Sequence, residues 1–133
     1  MPHLFNITNH TITDEQRADA LATLGIGEVV EMPVDIARCW ASIPPEIDSV
    51  TEYVHPVVDW LDGHAKKDDV VWVQGEWGAV MTVLAWCETC KIRAVYATTK
   101  RAATEIRSSE GVSITHVFKH VRFRDFPKLG GTR

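Results

Sequence analysis

Two hydroxyls and two adjacent cations stand together at Thr98-Thr-Lys-Arg101, directly behind a short apolar run, Ala94-Val-Tyr-Ala97. Hydroxyl, ammonium and guanidinium donors all suit phosphodiester oxygens, so Thr98, Thr99, Lys100 and Arg101 form a candidate phosphate site. A solvated surface turn would use the same residue types. Gln74-Gly-Glu-Trp-Gly78 follows a second apolar run, Val70-Val-Trp-Val73. Its glycines let backbone N–H groups approach an anion, and a helix starting there adds partial positive charge. Glycine serving turn geometry alone is the plainer alternative. Gln74 and Glu76 are the better ligand contacts in this loop, with Gly75, Trp77 and Gly78 around them. The loop matches neither GxxxxGK[ST] nor GxGxxG, so ATP hydrolysis and dinucleotide binding lose support. Thr8-Asn-His-Thr11 has a similar polar character. Asn9 suits a base edge, Thr11 offers a hydroxyl, and His10 could move a proton, although a loop histidine is more often a simple surface residue.

Lys119-His120-Val-Arg122-Phe-Arg124 interleaves cations with apolar residues. On a regular strand His120, Arg122 and Arg124 would share one face, and Lys119, Val121 and Phe123 the other. Such a segment either closes over a polyanion or guards a sheet edge against aggregation. Cys87-x-x-Cys90 falls inside a helical stretch without a second pair or an HxxxH partner, short of the four ligands a structural zinc needs. Packed thiols are expected there, and His116 likewise reads as packed. No spacing of acids and histidines argues for a metal, so neither metal nor cofactor is expected.

These groups need elements to hold them. His3-Leu-Phe-Asn-Ile7 reads as a first strand, and Thr13-Asp-Glu-Gln16 as a capping box opening a helix that Gly25 stops. Glu28–Met32 is a second strand, and a short helix follows from about Val34 to Ser42. Ser49-Val-Thr-Glu52 offers another capping box, with Pro56 marking either a kink or a fresh helix start. Val70–Val73 is apolar throughout, as in a strand buried on both faces. A helix covers Ala79 to Cys90, and Ala94–Ala97 is a fourth strand. A helical piece is expected over Ala102–Arg107. Two alternating segments, Val112–Phe118 and Val121–Phe126, then form an antiparallel edge or arm. Strands alternating with helices give a three-layer α/β sandwich with a mainly parallel sheet. All the strand C-terminal ends then lie on one rim, where the three polar loops converge. One domain over residues 1–126 and a disordered tail over 127–133 are expected.

Composition bounds the partners. The 133 residues carry a formal net charge of −4. Residues 1–90 hold 15 acidic and 4 basic side chains, while 91–133 hold 10 basic and 3 acidic. An acidic total disfavours duplex nucleic acid, and a basic final third suggests a confined anion site. No apolar stretch is long enough to span a bilayer, and three cysteines fit reduced thiols, so a cytoplasmic protein is expected.

Trp40-Ala-Ser-Ile-Pro-Pro45, Val73-Gln-Gly-Glu-Trp-Gly-Ala79, Val95-Tyr-Ala-Thr-Thr-Lys-Arg101 and Val117-Phe-Lys-His-Val-Arg-Phe-Arg124, with a first strand leading to Asn9-His10, resemble a small family. Its members are stand-alone Csx-type, Rossmann-like CARF-like ring nucleases of type III CRISPR systems. The likeness runs from Leu4 to Phe126. It implies a homodimer that binds cyclic oligoadenylate, usually the four-adenosine ring, and cuts it to linear products, so ending antiviral signalling. It further implies metal-free attack by a ribose 2′-OH. In that scheme Lys100 and Arg101 stabilise charge, Lys119 and Arg122 assist, and His10 or His120 moves protons. Asn9, Gln74, Thr98 and Thr99 orient the ligand. Sequestering the cyclic nucleotide without cutting it would use the same residues.

Overall fold

The computed structural model describes residues 1–128; the expected disordered tail lies outside the described residues from 129 on. The elements are β1 (His3–Ile7), α1 (Asp14–Leu24), β2 (Glu28–Glu31), α2 (Val34–Ala41), α3 (His55–His64), β3 (Val70–Val73), α4 (Trp77–Cys90), β4 (Arg93–Ser108) and β5 (Gly111–Asp125). They build a mixed α/β fold around one five-stranded sheet of order β2-β1-β3-β4-β5. The first four strands run parallel and β5 returns antiparallel to β4.

The continuous apolar run of β3 has the meaning its composition gives it. All four residues are buried, and successive side chains feed opposite cores. Val70 and Trp72 join Leu4, Val95 and Phe123 on the side where α1 contributes Ala20. Val71 and Val73 join Phe5 and Ile7 on the other side, against Trp40 of α2, Val57 and Leu61 of α3, and Val83 of α4. The sheet is therefore covered on both faces. The Thr13/Gln16 capping box forms at the start of α1, and Gly25 ends that helix in the left-handed conformation at φ 68°.

Three local expectations change. Thr51 to Val54 form turns, so the Ser49–Glu52 capping box opens no helix, and of the two readings of Pro56 the fresh start holds: α3 begins at His55 with Pro56 in its first turn. Proline there removes only a donor the helix does not use. Thr98–Arg101 is not a loop, and Ala102–Arg107 is not a helix: both belong to β4, which pairs with β5 out to the turn between Ser108 and Gly111. The third change is a bulge. Thr98 pairs with Arg122 but Thr99 pairs with His120, so Val121 is an extra residue on β5. Alternation is thereby reset, and Lys119 shares a face with Arg122, while His120 shares one with Phe123. The two rings touch at a tilt of 53°, with centroids 5.0 Å apart.

Candidate functional site

The strand order reverses between β1 and β3, because β1 leads outward to β2 and the chain then crosses back to β3. Loops leaving those two strands diverge to opposite sides of the sheet and open a crevice at their C-terminal ends. A pocket of about 400 Å³ occupies that crevice on the α1 side. His10 and Thr11 enter it from the loop after β1, and Thr13 and Gln16 from the start of α1. Trp72 and Gln74 close its floor at the end of β3, and Ala97, Thr99 and Phe118 form the wall where the hairpin departs. An adjoining hollow shares Thr13, Gln16, Thr99 and Phe118 and continues to Lys119 and His120.

The loop bearing His10 is shaped by a buried polar network. Asn6, 1% exposed on β1, donates from Nδ2 to the His10 carbonyl at 2.9 Å and to the Glu31 carboxylate at 3.1 Å. Thr8 Oγ1 donates to Asn6 Oδ1 at 2.6 Å, and the His10 backbone N–H donates back to Thr8 Oγ1 at 3.0 Å. These bonds fix the backbone while leaving the Asn9, His10 and Thr11 side chains exposed. Satisfied buried networks of this kind rigidify what they hold.

Gln74 is similarly committed. Its Oε1 accepts from the Trp72 indole at 2.7 Å and from the Ala97 backbone N–H at 2.7 Å, joining β3 to β4 at the pocket floor. Its carbonyl accepts from the Trp40 indole at 3.0 Å. A Cβ on Gly75 would lie 2.9 Å from Trp40 Nε1, so close packing of that indole requires glycine there. Glu76 caps α4, its carboxylate accepting from Ala79 N–H at 2.8 Å. The helix end that sequence offers to a phosphate already faces a carboxylate, and a Cβ on Gly78 would meet Val50 at 2.9 Å. Trp77 is 88% exposed.

The hairpin divides the expected cations between two faces. Arg101 stands opposite Phe118, on the face that carries Thr99 and the pocket wall. Lys100 stands opposite Lys119 on the other face, together with Thr98 and Arg122. Thr98 Oγ1 donates to the Arg122 carbonyl at 3.0 Å, which ties it to the bulge. Among the described residues, Lys100, Arg101, Lys119 and Arg122 form no ion pair. His120 does: its Nε2 lies 2.7 Å from Asp19 Oδ2 of α1, with the two side chains only 6% and 19% exposed. Its Nδ1 is buried without a hydrogen-bond partner. His120 is thus bound to α1 at the hairpin base, while His10 faces the pocket.

Sequence reasoning missed Asn6, Asp19, Trp72 and Phe118. Asn6 had one available signal, a polar residue within the otherwise apolar Leu4–Ile7. The pairing of Asp19 with a residue 101 positions away had none. The three cysteines are free. Burial, reinforced by the neighbouring Cys90 sulfur, pushes the Cys87 thiol up to about 12, and burial also raises that of Cys39. Among the described residues, no three His, Cys, Asp or Glu side chains gather as a metal-binding group. No helix among them is long and apolar enough to cross a membrane.

Residues 2–124 match the family model described as the Uncharacterized protein MJ1673 family. The chain is similar to Uncharacterized protein MJ1673 of Methanocaldococcus jannaschii, with 33% identity over 126 residues, covering 95% of this chain and 98% of the relative. No solved structure matches it.

Proposed function

We propose that this chain, which belongs to the Uncharacterized protein MJ1673 family, is a Rossmann-like, CARF-like ring nuclease of the cytoplasm. In this reading it binds cyclic oligoadenylate in the crevice pocket and cuts it. One observation carries the reading: a pocket of about 400 Å³ lies where the strand order reverses, lined by hydroxyls, two amides, two aromatic rings and His10. Pockets with a few convergent polar groups at such reversals are the usual ligand sites of open α/β sheets. Phe118, 70% exposed, offers a face to a base, buried Trp72 supports the pocket floor, and Thr11, Thr13 and Thr99 offer donors to ribose and phosphate.

Cleavage in this reading needs positioning more than reagents. A ribose 2′-oxygen forms a bond to the adjacent phosphorus as the bond from phosphorus to the 5′-oxygen breaks, leaving a 2′,3′-cyclic phosphate and a free 5′-hydroxyl. His10 takes the proton from the 2′-hydroxyl, and the leaving oxygen is protonated in turn. Holding the attacking oxygen in line supplies much of the acceleration, and a cation beside the phosphorane supplies more. Arg101, on the pocket face of the hairpin, is the cation this mechanism relies on. Lys100 and Arg122 lie on the opposite face and act through their field, and Lys119, on that face by register, borders the adjoining hollow.

Capture of the ring without cleavage is a second reading. It is favoured by the fact that His10 is the one acid–base side chain among the residues lining the pocket, where cleavage calls for both a base and an acid. Incubation with labelled cyclic tetra-adenylate, with and without EDTA, separates the two. Linear products in both conditions are expected. His10→Ala and Arg101→Ala should each slow single-turnover cleavage by at least about tenfold, or roughly 1.4 kcal/mol of barrier. Tight binding with an intact ring selects capture, and absence of binding removes both readings.

A further inference from the structure

We infer that the β4–β5 hairpin beyond the bulge is a docking arm for a second copy of this chain. β1, β2 and β3 have four or five residues each, whereas β4 has 16 and β5 has 15. The excess projects past the sheet as a two-stranded ribbon, on the order of 30 Å long at about 3.4 Å per residue. Among the described residues between Lys100 and Lys119, every hydrogen bond or ion pair stays within the hairpin. An isolated two-stranded ribbon is marginally stable in water. This one nevertheless carries Val112, Ile114 and Phe118 on one face, exposed by 59%, 66% and 70%. Aligned apolar side chains left this open mark an interaction surface.

Charge identifies the occupant. On the ribbon's opposite face Lys100 and Lys119 stand directly across from each other, an unfavourable pairing unless an anionic group lies over them. The body of the same chain supplies such groups: Glu46, Asp48 and Glu52 are exposed on the α2–α3 connection and form no ion pair among the described residues. A basic arm and an acidic body on one polypeptide are complementary between two copies related by a two-fold axis. Single-stranded nucleic acid would satisfy the lysines, but it would meet an acidic body and leave the aliphatic face uncovered. The arm leaves the sheet at the pocket end, and Phe118 belongs to both, so the second copy stands at the pocket mouth. This inference holds whatever ligand the pocket takes.

Sedimentation of the ligand-free full chain from about 1 to about 100 µM tests it. A dimer that weakens as salt rises is expected. Val112→Lys/Ile114→Lys, at exposed positions, should weaken association by at least about tenfold while leaving the circular dichroism, and the urea midpoint at low protein concentration, near wild type. Lys100→Glu/Lys119→Glu should do the same. An arm shortened by removing 102–117 across an Asn-Gly turn provides a check that needs no exposed substitution, and it should be monomeric. A monomeric wild type throughout the range overturns the inference. So do arm variants that dimerise like wild type, or a monomer that instead binds single-stranded RNA through the arm.

Discussion

A thiol pressed between a helix and a sheet must stay protonated, because a thiolate would lose its hydration there. Cys87 is 2% exposed, and its thiol is pushed up to about 12. The unfolded chain releases that proton near pH 8.5, so between there and about 12 the native state binds one more proton than the unfolded state. The resulting contribution is fully present below the unfolded value and is lost as pH rises through this window. Stability should fall by roughly 1 kcal/mol per pH unit from this group. Urea melts at a series of pH values between 8 and 11 check it: Cys87→Ala should lower stability at pH 8 yet flatten the alkaline slope. An unchanged slope would remove Cys87 as its source. That the cysteines are packed was legible from their place inside a helix. The structural employment of Gln74 was not, since an amide behind a strand looks the same whether it meets a ligand or the Ala97 N–H.

Elements resolve what residue types leave ambiguous. Ala102-Ala-Thr-Glu-Ile-Arg107 contains good helix formers, and the sequence accordingly predicts a helix; pairing with β5 overrides that weak preference. Alternation in Val112–Phe118 identified a strand correctly, but regular alternation could not foresee the bulge at Val121 that reassigns Lys119 and His120 to new faces. Two contacts between elements carry measurable consequences. Gly75 turns β3 into α4 beneath the Trp40 indole, which is buried and hydrogen-bonded and therefore cannot retreat. Gly75→Ala should cost about 1–3 kcal/mol in urea melts. Ligand affinity per folded molecule should be unchanged, since the pocket lies across the sheet. At the hairpin base, Asp19→Ala would leave buried His120 without its partner and should cost about 1–3 kcal/mol. The same change in a His120→Phe background should cost clearly less, and equal costs would show that the contact contributes nothing.

At the scale of the whole molecule, the chain consists of a body with two buried cores and an arm that joins neither. The parallel sheet, its rim and the basic final third could be read from the sequence. Strand order could not, and with it went the place where the crevice opens. The cores draw on β1 to β4 and on Phe123, but nothing between Thr98 and Arg122 is buried in them. Regions without buried contacts open independently of the global transition. Amides of β1 and β3 should therefore exchange only by global unfolding and stay better protected than arm amides at every protein concentration. Arm amides should behave differently if a second copy covers them. Their exchange then requires dissociation, and once the dimer predominates the monomer fraction falls with the square root of concentration. Arm protection should rise about threefold for each tenfold rise in protein, measured by hydrogen exchange with mass spectrometry at fixed pH and salt. The rise should vanish in Val112→Lys/Ile114→Lys, whose body amides match wild type at protein concentrations low enough for wild type to be monomeric. Concentration-independent protection along the arm would mean that the ribbon stands unaided, against its exposed aliphatic face and its opposed lysines.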